Sequence, residues 1–251
     1  MSQFLLISDL DNTLTGNDNA LEKLNKILHK KRKLDGTKIV YATGRSLFLY
    51  QQLTREKSLL SPDALIAAVG TEVYLNPENK EIDQQWARLL SQNWQRDKIL
   101  EVTQTFPELI PQAQSEQGQF KVSFHLISDT AQKTIQQLEQ QLKEVSLATK
   151  LIYSGSKDLD IIPQQADKGL AVKFLQQKWQ FNDQTTVVCG DSGNDIALFE
   201  TGQPRGILVG NAQIELREWY DNHRTDYRYL ARQNYAAGVE EGLKHFRLIC
   251  A

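Results

Sequence analysis

Phe4-Leu5-Leu6-Ile7-Ser8-Asp9-Leu10-Asp11-Asn12-Thr13 sets a short apolar run directly ahead of two acids spaced two residues apart. The run reads as a buried strand, and open parallel sheets place their reactive groups at the carboxyl ends of strands. Two carboxylates at such an end repel each other and resist burial, so they persist where a cation or a reaction uses them. A calcium loop does not fit, because an EF-hand needs Gly at its sixth position and Glu at its twelfth. Counted from Asp9, those positions hold Leu14 and Ala20, and a strand rather than a helix precedes them. A solvated surface turn is the other reading that the acid pair by itself allows.

Outward from this stretch, residues 20–31 predict a helix with Leu21, Leu24 and Leu28 on one face. Residues 37–42 predict a strand, 46–57 a helix and 64–69 a third strand. This β-α-β-α-β rhythm predicts a doubly wound, Rossmann-like parallel sheet with helices on both faces, an α/β fold. The rhythm returns late, with helices over 168–179, 196–200 and 238–246 and strands over 185–189 and 206–209. The middle differs. Residues 83–105 read as one long helical stretch, 120–126 as an alternating strand, 130–145 as an amphipathic helix, and 151–153 and 158–162 as strands. An α+β module is therefore expected to be inserted at 83–163, dividing a core made of 1–82 and 164–251.

Bulk properties narrow the function. With 251 residues, 40% hydrophobic and 24% charged, the composition is that of a globular domain. A net charge of -2 supplies no basic field for gripping nucleic acid. The basic run Lys30-Lys31-Arg32-Lys33 sits where a helix should end and complements its dipole. No stretch approaches the roughly 20 apolar residues that span a bilayer, so no membrane association is expected. Neither Cys189 nor Cys250 belongs to a CxxC pair, and the expected compartment is the reducing cytoplasm.

Three further segments lie at predicted strand or helix ends. Ala42-Thr43-Gly44-Arg45 follows a strand and opens a helix, where a hydroxyl and backbone N–H groups can receive an oxyanion. Asp167-Lys168-Gly169 opens another helix; a lone lysine there is also an ordinary surface feature. Cys189-Gly190-Asp191-Ser192-Gly193-Asn194-Asp195 follows a strand and brings two more acids to the same edge. A helix N-cap accounts for Asp191 but not for the whole run.

In this order, the segments resemble the haloacid dehalogenase superfamily of phosphatases, over the whole chain. The resemblance implies that Asp9 attacks phosphorus and that Asp11 serves as general acid and base. It implies that Thr43, Gly44, Lys168 and Asn194 hold phosphate. It also implies a Mg²⁺ site of Asp9, Asp11 through its backbone carbonyl, Asp191 and Asp195. A divalent ion and an ammonium group would neutralise the crowded charge, an Asp nucleophile would form a hydrolysable mixed anhydride, and Asp11 is expected to hold a proton in the substrate complex. Dehalogenases of the superfamily lack the second acid, so dehalogenation does not fit.

The insertion corresponds to the superfamily's type II cap. In the 120–126 strand, period two puts Lys121, Ser123 and His125 on a polar face suited to sugar hydroxyls. A solvated outer face is the bland alternative, and His125 has no second histidine nearby to make a metal site. Leu6-Ile7-Ser8-Asp9-Leu10-Asp11-Asn12-Thr13, Tyr41-Ala42-Thr43-Gly44-Arg45-Ser46, Ala68-Val69-Gly70-Thr71-Glu72-Val73-Tyr74, Trp94-Gln95-Arg96-Asp97, Lys121-Val122-Ser123-Phe124-His125 and Lys157-Asp158-Leu159-Asp160 are similar to sucrose-phosphate phosphatases, as is the 190–195 segment. That narrower resemblance implies release of sucrose and phosphate from sucrose 6-phosphate, the last step of sucrose synthesis. The expected sugar-binding set is Arg45, Glu72, Lys121, Ser123, His125, Lys157 and Asp158. A monomer is expected. Sucrose-phosphate synthase is a partner suggested by biology and by no feature of the chain. Another capped sugar phosphatase, a phosphomutase, or a non-catalytic sugar-phosphate-binding accessory protein are the alternatives.

Overall fold

The computed structural model describes residues 3–250. In chain order its elements are strand β1 (Leu5–Ser8), helix α1 (Asp18–Asp35), β2 (Lys38–Ala42), α2 (Leu47–Glu56), β3 (Ala64–Ala67), β4 (Glu72–Tyr74), α3 (Gln84–Ser91), α4 (Arg96–Thr103), β5 (Ile110–Pro111), β6 (Val122–His125), α5 (Ala131–Glu144), β7 (Thr149–Ser154), β8 (Asp158–Pro163), α6 (Lys168–Trp179), β9 (Thr186–Gly190), α7 (Ile196–Glu200), β10 (Arg205–Leu208), α8 (Ile214–Asn222), β11 (Arg228–Leu230) and α9 (Tyr235–His245).

The main sheet has the order β11-β10-β9-β1-β2-β3-β4. Its pairs are parallel except for β3 with β4, which is antiparallel at the edge. The chain winds outward through β2 and β3, then returns to the other side of β1 as β9. Such a reversal leaves a crevice at the carboxyl ends of the two central strands, here β1 and β9.

Burial on both faces explains the near-continuous apolar strands. Leu6, Ile39, Tyr41, Val187 and Cys189 pack with Leu21, Leu24 and Leu28 of α1 and Val239 and Leu243 of α9. Their strand neighbours Leu5, Ile7, Val40, Ala42 and Val188 pack on the opposite face with Ala171, Val172 and Leu175 of α6 and Leu216 of α8. Helix α1 is longer than predicted. Asn17 caps its start by accepting from the Ala20 N–H at 3.1 Å, and Gly36 ends it at φ 75°. Arg32 and Lys33 lie in its last turn, as the dipole argument requires.

A second sheet, order β5-β6-β8-β7, is antiparallel throughout and forms the inserted cap. Val122 and Phe124 of β6 and Leu159 and Ile161 of β8 pack against Ile99 of α4 and Leu138 and Leu142 of α5. The expected single helix over 83–105 is broken into α3 and α4 by residues 92–95, where Asn93 takes φ 64°. The break has a packing cause. Trp86 and Leu90 of α3 are buried with the main sheet, whereas Ile99 of α4 belongs to the cap cluster. We therefore propose that the first domain boundary lies at 92–95 rather than at 83. Strands β4 and β11 and helix α8 have no counterpart in the periodicity reading; β4 and β11 are three residues each, too short for a period to register.

The predicted strand over 64–69 stops at Ala67, and a tight turn over Ala68–Gly70 follows with φ of 49°, 54° and 98°. The turn brings Gly70 against the start of α6. A Cβ at Gly70 would lie 2.2 Å from the Asp167 carbonyl carbon and 2.5 Å from the Lys168 nitrogen. Gly70→Ala is expected to cost about 3 kcal/mol, from overpacking added to a left-handed backbone. Urea-denaturation midpoints check this; a loss below about 1 kcal/mol would mean that the two segments can separate freely.

Candidate active site

Four segments converge at the crevice. Asp9 follows β1, with its N–H donating to the Cys189 carbonyl at 3.0 Å, so it is tied to the end of β9. Lys168 is the first residue of α6, which Asp167 caps by accepting from the Leu170 N–H at 2.6 Å. The Lys168 ammonium is 1% exposed and donates to Asp9 Oδ1 at 2.8 Å, Asn194 Oδ1 at 2.8 Å and Asp195 Oδ1 at 2.7 Å. Asp195 Oδ2 accepts from the N–H groups of Asp191 and Ser192 at 3.0 and 3.2 Å, which folds the loop after β9 around it. Gly190 is required there, because a Cβ would stand 2.5 Å from that of Asp195. Asp191 Oδ1 accepts from the Thr13 hydroxyl at 3.1 Å.

Carboxylate oxygens of Asp9, Asp191 and Asp195 lie within 4.8 Å of one another, and all three residues are buried. Burial holds the Asp9 carboxyl well above the usual carboxylate range; Lys168 opposes this, while Asp195 and Asp191 add to it. Asp191 is pushed up to about 7, by burial first and by the Asp195 charge second. Burial works against the charged form of Lys168, but the charges of Asp195 and Asp9 outweigh it and raise the lysine above its ordinary value. One cation thus serves three acids. The shortfall, with oxygen donors only, suits a hard divalent ion. Asp195 already spends both oxygens on Lys168 and the loop, so Asp9 and Asp191 are the better-placed donors of the three.

This charge shortfall has a pH signature. A carboxyl raised from 3.8 to about 7 gives the folded chain stability that is complete below 3.8 and lost as pH rises through 7. Asp35, Asp83, Asp183, Glu240 and Glu241 are lowered instead, so they weaken the fold only as pH falls through their depressed values. In chelator, the protein is expected to be about 1 kcal/mol more stable near pH 6 than near pH 8. Added Mg²⁺ should stabilise it more at the higher pH. Thermal melts at both pH values check this, and equal effects of the ion at both would contradict it.

Asp11 faces outward and is 44% exposed at its side chain. Arg45 holds it with two bonds, Nε to Oδ2 at 2.7 Å and Nη2 to Oδ1 at 2.8 Å. Arg45 is expected from the resemblance at the sugar; its side-chain partner is instead the Asp11 carboxylate, which no local spacing in the sequence encodes. Thr43 is fully buried at the end of β2, its hydroxyl accepting from the Arg45 N–H at 3.1 Å. Gly44 lies beside Asn194.

Above these residues a cleft of about 430 Å³ separates core from cap. Asp9, Asp11, Gly44, Arg45, Asp191 and Asn194 line it from below, and Gln112, Glu116, Lys121, Ser154, Asp158 and Asp160 from above. Of the predicted sugar residues, Lys121, Asp158 and Arg45 reach the lining. His125 stands behind Asp158, its Nδ1 2.9 Å from Asp158 Oδ1. Ser123 is fully buried and spends its hydroxyl on Asp160 Oδ1 at 2.6 Å and the Glu116 carbonyl at 3.2 Å, so it supports the wall. Lys157 lies on the turn between β7 and β8, outside the lining. Glu72 accepts from the Tyr74 hydroxyl at 2.7 Å, beside Gly118 rather than in the cleft. Gln112 and Glu116 come from the segment between β5 and β6, Glu116 from a single 3-10 turn over Gln114–Glu116, and such short pieces carry no periodic signal.

A family model for sucrose-6F-phosphate phosphohydrolase matches residues 2–247. Sucrose-phosphatase 1 of Nicotiana tabacum is 37% identical over 98% of this chain and 60% of its own length. The chain thus spans about 60% of the curated plant relatives it matches. A mannosylfructose-phosphate phosphatase of Agrobacterium fabrum is 30% identical over 97% of each chain. A crystal structure of the sucrose-phosphatase from Synechocystis sp. PCC6803, in complex with sucrose and phosphate, superposes with a TM-score of 0.91 at 41% identity, covering both chains fully.

Proposed function

The chain belongs to the sucrose-6F-phosphate phosphohydrolase family, and from that premise we propose that it hydrolyses sucrose 6-phosphate to sucrose and phosphate through a phosphorylated Asp9. The observation that carries this reading is the convergence of Asp9, Lys168, Asp191 and Asp195 beneath a polar cleft roofed by the cap. In the first step an Asp9 carboxylate oxygen attacks phosphorus, the bond from phosphorus to the sugar oxygen breaks, and Asp11 delivers a proton to that oxygen. In the second, water attacks the phosphoryl group, Asp11 takes its proton, and Asp9 and phosphate are released.

Lys168 stands 2.8 Å from Asp9 and offsets charge on the transferring phosphoryl oxygens. The Thr43 hydroxyl, the Gly44 backbone and Asn194 complete the phosphate pocket. Mg²⁺ would be held by Asp9, Asp191 and the Asp11 carbonyl, with Asp195 arranging the loop, and would supply positive charge that lets an anionic nucleophile approach a phosphate dianion. The cap donors and acceptors, Lys121 and Asp158 with His125 behind, would bind sugar hydroxyls, and closure would keep water from the first step. In this reading the protein is a cytoplasmic monomer fed by sucrose-phosphate synthase. No helix among the described residues is long and apolar enough to cross a membrane.

The Agrobacterium relative supports a second reading, mannosylfructose phosphate as substrate. Free phosphate released from sucrose 6-phosphate, mannosylfructose phosphate and glucose 6-phosphate, with and without chelator, separates them. Sucrose 6-phosphate is expected to lead in kcat/KM by at least about tenfold. A lead by mannosylfructose phosphate would reassign the substrate, and phosphate retained on the product would indicate a mutase.

A further inference from the structure

Arg45 and Glu116 face the same cleft from opposite sides, Arg45 from the turn between β2 and α2 and Glu116 from the cap. Arg45 occupies both oxygens of Asp11, through Nε and Nη2. While it does so, the guanidinium and not a leaving group sets the orientation of the carboxylate. Its backbone is pinned, with the N–H on the Thr43 hydroxyl at 3.1 Å and the carbonyl accepting from the Ala68 N–H at 2.8 Å. The side chain is 31% exposed, however, and its Nη1 donates to nothing among the described residues.

Glu116 is the opposite case. Its backbone is fixed in the cap, where the carbonyl accepts from the Ser123 hydroxyl. Its carboxylate accepts no hydrogen bond among the described residues, and its ion-pair partner, Lys121, is at 4.0 Å. A carboxylate 23% exposed in a cleft wall without a bonded partner is poised for a cation to arrive. The Glu116 charge already acts on Arg45 across the cleft, after those of Asp11 and Glu56.

We infer that Arg45 is a positioning residue that passes from Asp11 to Glu116 when the cap closes on substrate, so that Asp11 is released toward the leaving oxygen only in the closed state. The exchange costs little, because one guanidinium–carboxylate pair replaces another. It ties the readiness of the general acid to the presence of a substrate large enough to close the cap. The inference rests on the proposed role of Asp11.

A double-mutant cycle tests it: Arg45→Lys, Glu116→Gln and the double variant, with kcat and KM measured on whichever disaccharide phosphate the chain hydrolyses. A wrong substrate is thus told apart from a wrong switch. Glu116→Gln, which strands the guanidinium on Asp11, is expected to lower kcat about tenfold with KM within about threefold, whereas Arg45→Lys, which loosens that grip, is expected to change kcat by less than about threefold. The double variant should match Arg45→Lys rather than Glu116→Gln. Glu116→Asp, which keeps the charge, should recover at least half of the lost kcat. Melting temperatures close to the parent's would show that the variants are folded. Multiplying effects, or a Glu116→Gln change confined to KM, would overturn the exchange. So would a crystal structure with sucrose and orthovanadate in which Arg45 still grips Asp11.

Discussion

Asp9→Asn is expected to lower phosphate release by at least about four orders of magnitude while leaving sugar-phosphate binding measurable. Asn is nearly isosteric with Asp, and the position is locked on both sides. The backbone N–H is bonded to Cys189, and Oδ1 accepts from Lys168 at 2.8 Å. The amide oxygen can keep that bond, so the pocket should persist. What is lost is the proposed nucleophile, since an amide forms no stable acyl phosphate. The same change removes one of three buried carboxylates that share a single ammonium group. The metal-free variant should therefore be at least as stable as the parent, a combination that a structural role for Asp9 does not produce. Isothermal titration with the substrate, chelator melts and a phosphate assay check the three parts. Turnover above about 1% of the parent would remove Asp9 from the chemistry.

Lys168→Met should give the largest loss of stability of any single change in the crevice, about 3–5 kcal/mol near pH 8 in chelator. Methionine matches the lysine stem in length, so the aliphatic packing is retained. The ammonium, however, is the sole side-chain cation bonded to Asp9 and Asp195 among the described residues. Removing it leaves both acids buried and unpaired, and each must bind a proton or bear the desolvation of its charge. The deficit should shrink near pH 6, where protonation is easier, and shrink again with Mg²⁺. Activity should vanish under every condition, because the charge that offsets the phosphoryl oxygens is gone. Urea midpoints at the two pH values decide this. A deficit under about 1 kcal/mol, or one independent of pH, would mean that the side chain contributes through packing alone.

Where sequence reasoning succeeded and failed follows from the range of each interaction. Strand β1, helix α6 and the loop after β9 were legible because their signals are local: an apolar run, a capping Asp167 and a Gly-Asp turn. The break at 92–95 was not, since α3 and α4 carry similar helical patterns and differ only in which core they bury against. Ser123 shows the same limit. Its alternation with Lys121 and His125 was read correctly as one face, yet that face is inward at Ser123, where Asp160 and the 112–117 loop cover it.

The order of motifs along the chain points by itself to the proposed chemistry, because the proposed nucleophile, the lysine and the proposed metal acids each sit at the end of a locally encoded strand or the start of a locally encoded helix. The sheet topology decided that these ends meet, by returning the chain as β9 beside β1. Pairing of β1 with β2 brings Arg45 to Asp11, and only the packing of cap over core sets Glu116 across from them. Side chains 34 or 71 residues apart reach one cleft according to where whole elements come to rest, and no local spacing in the sequence encodes that.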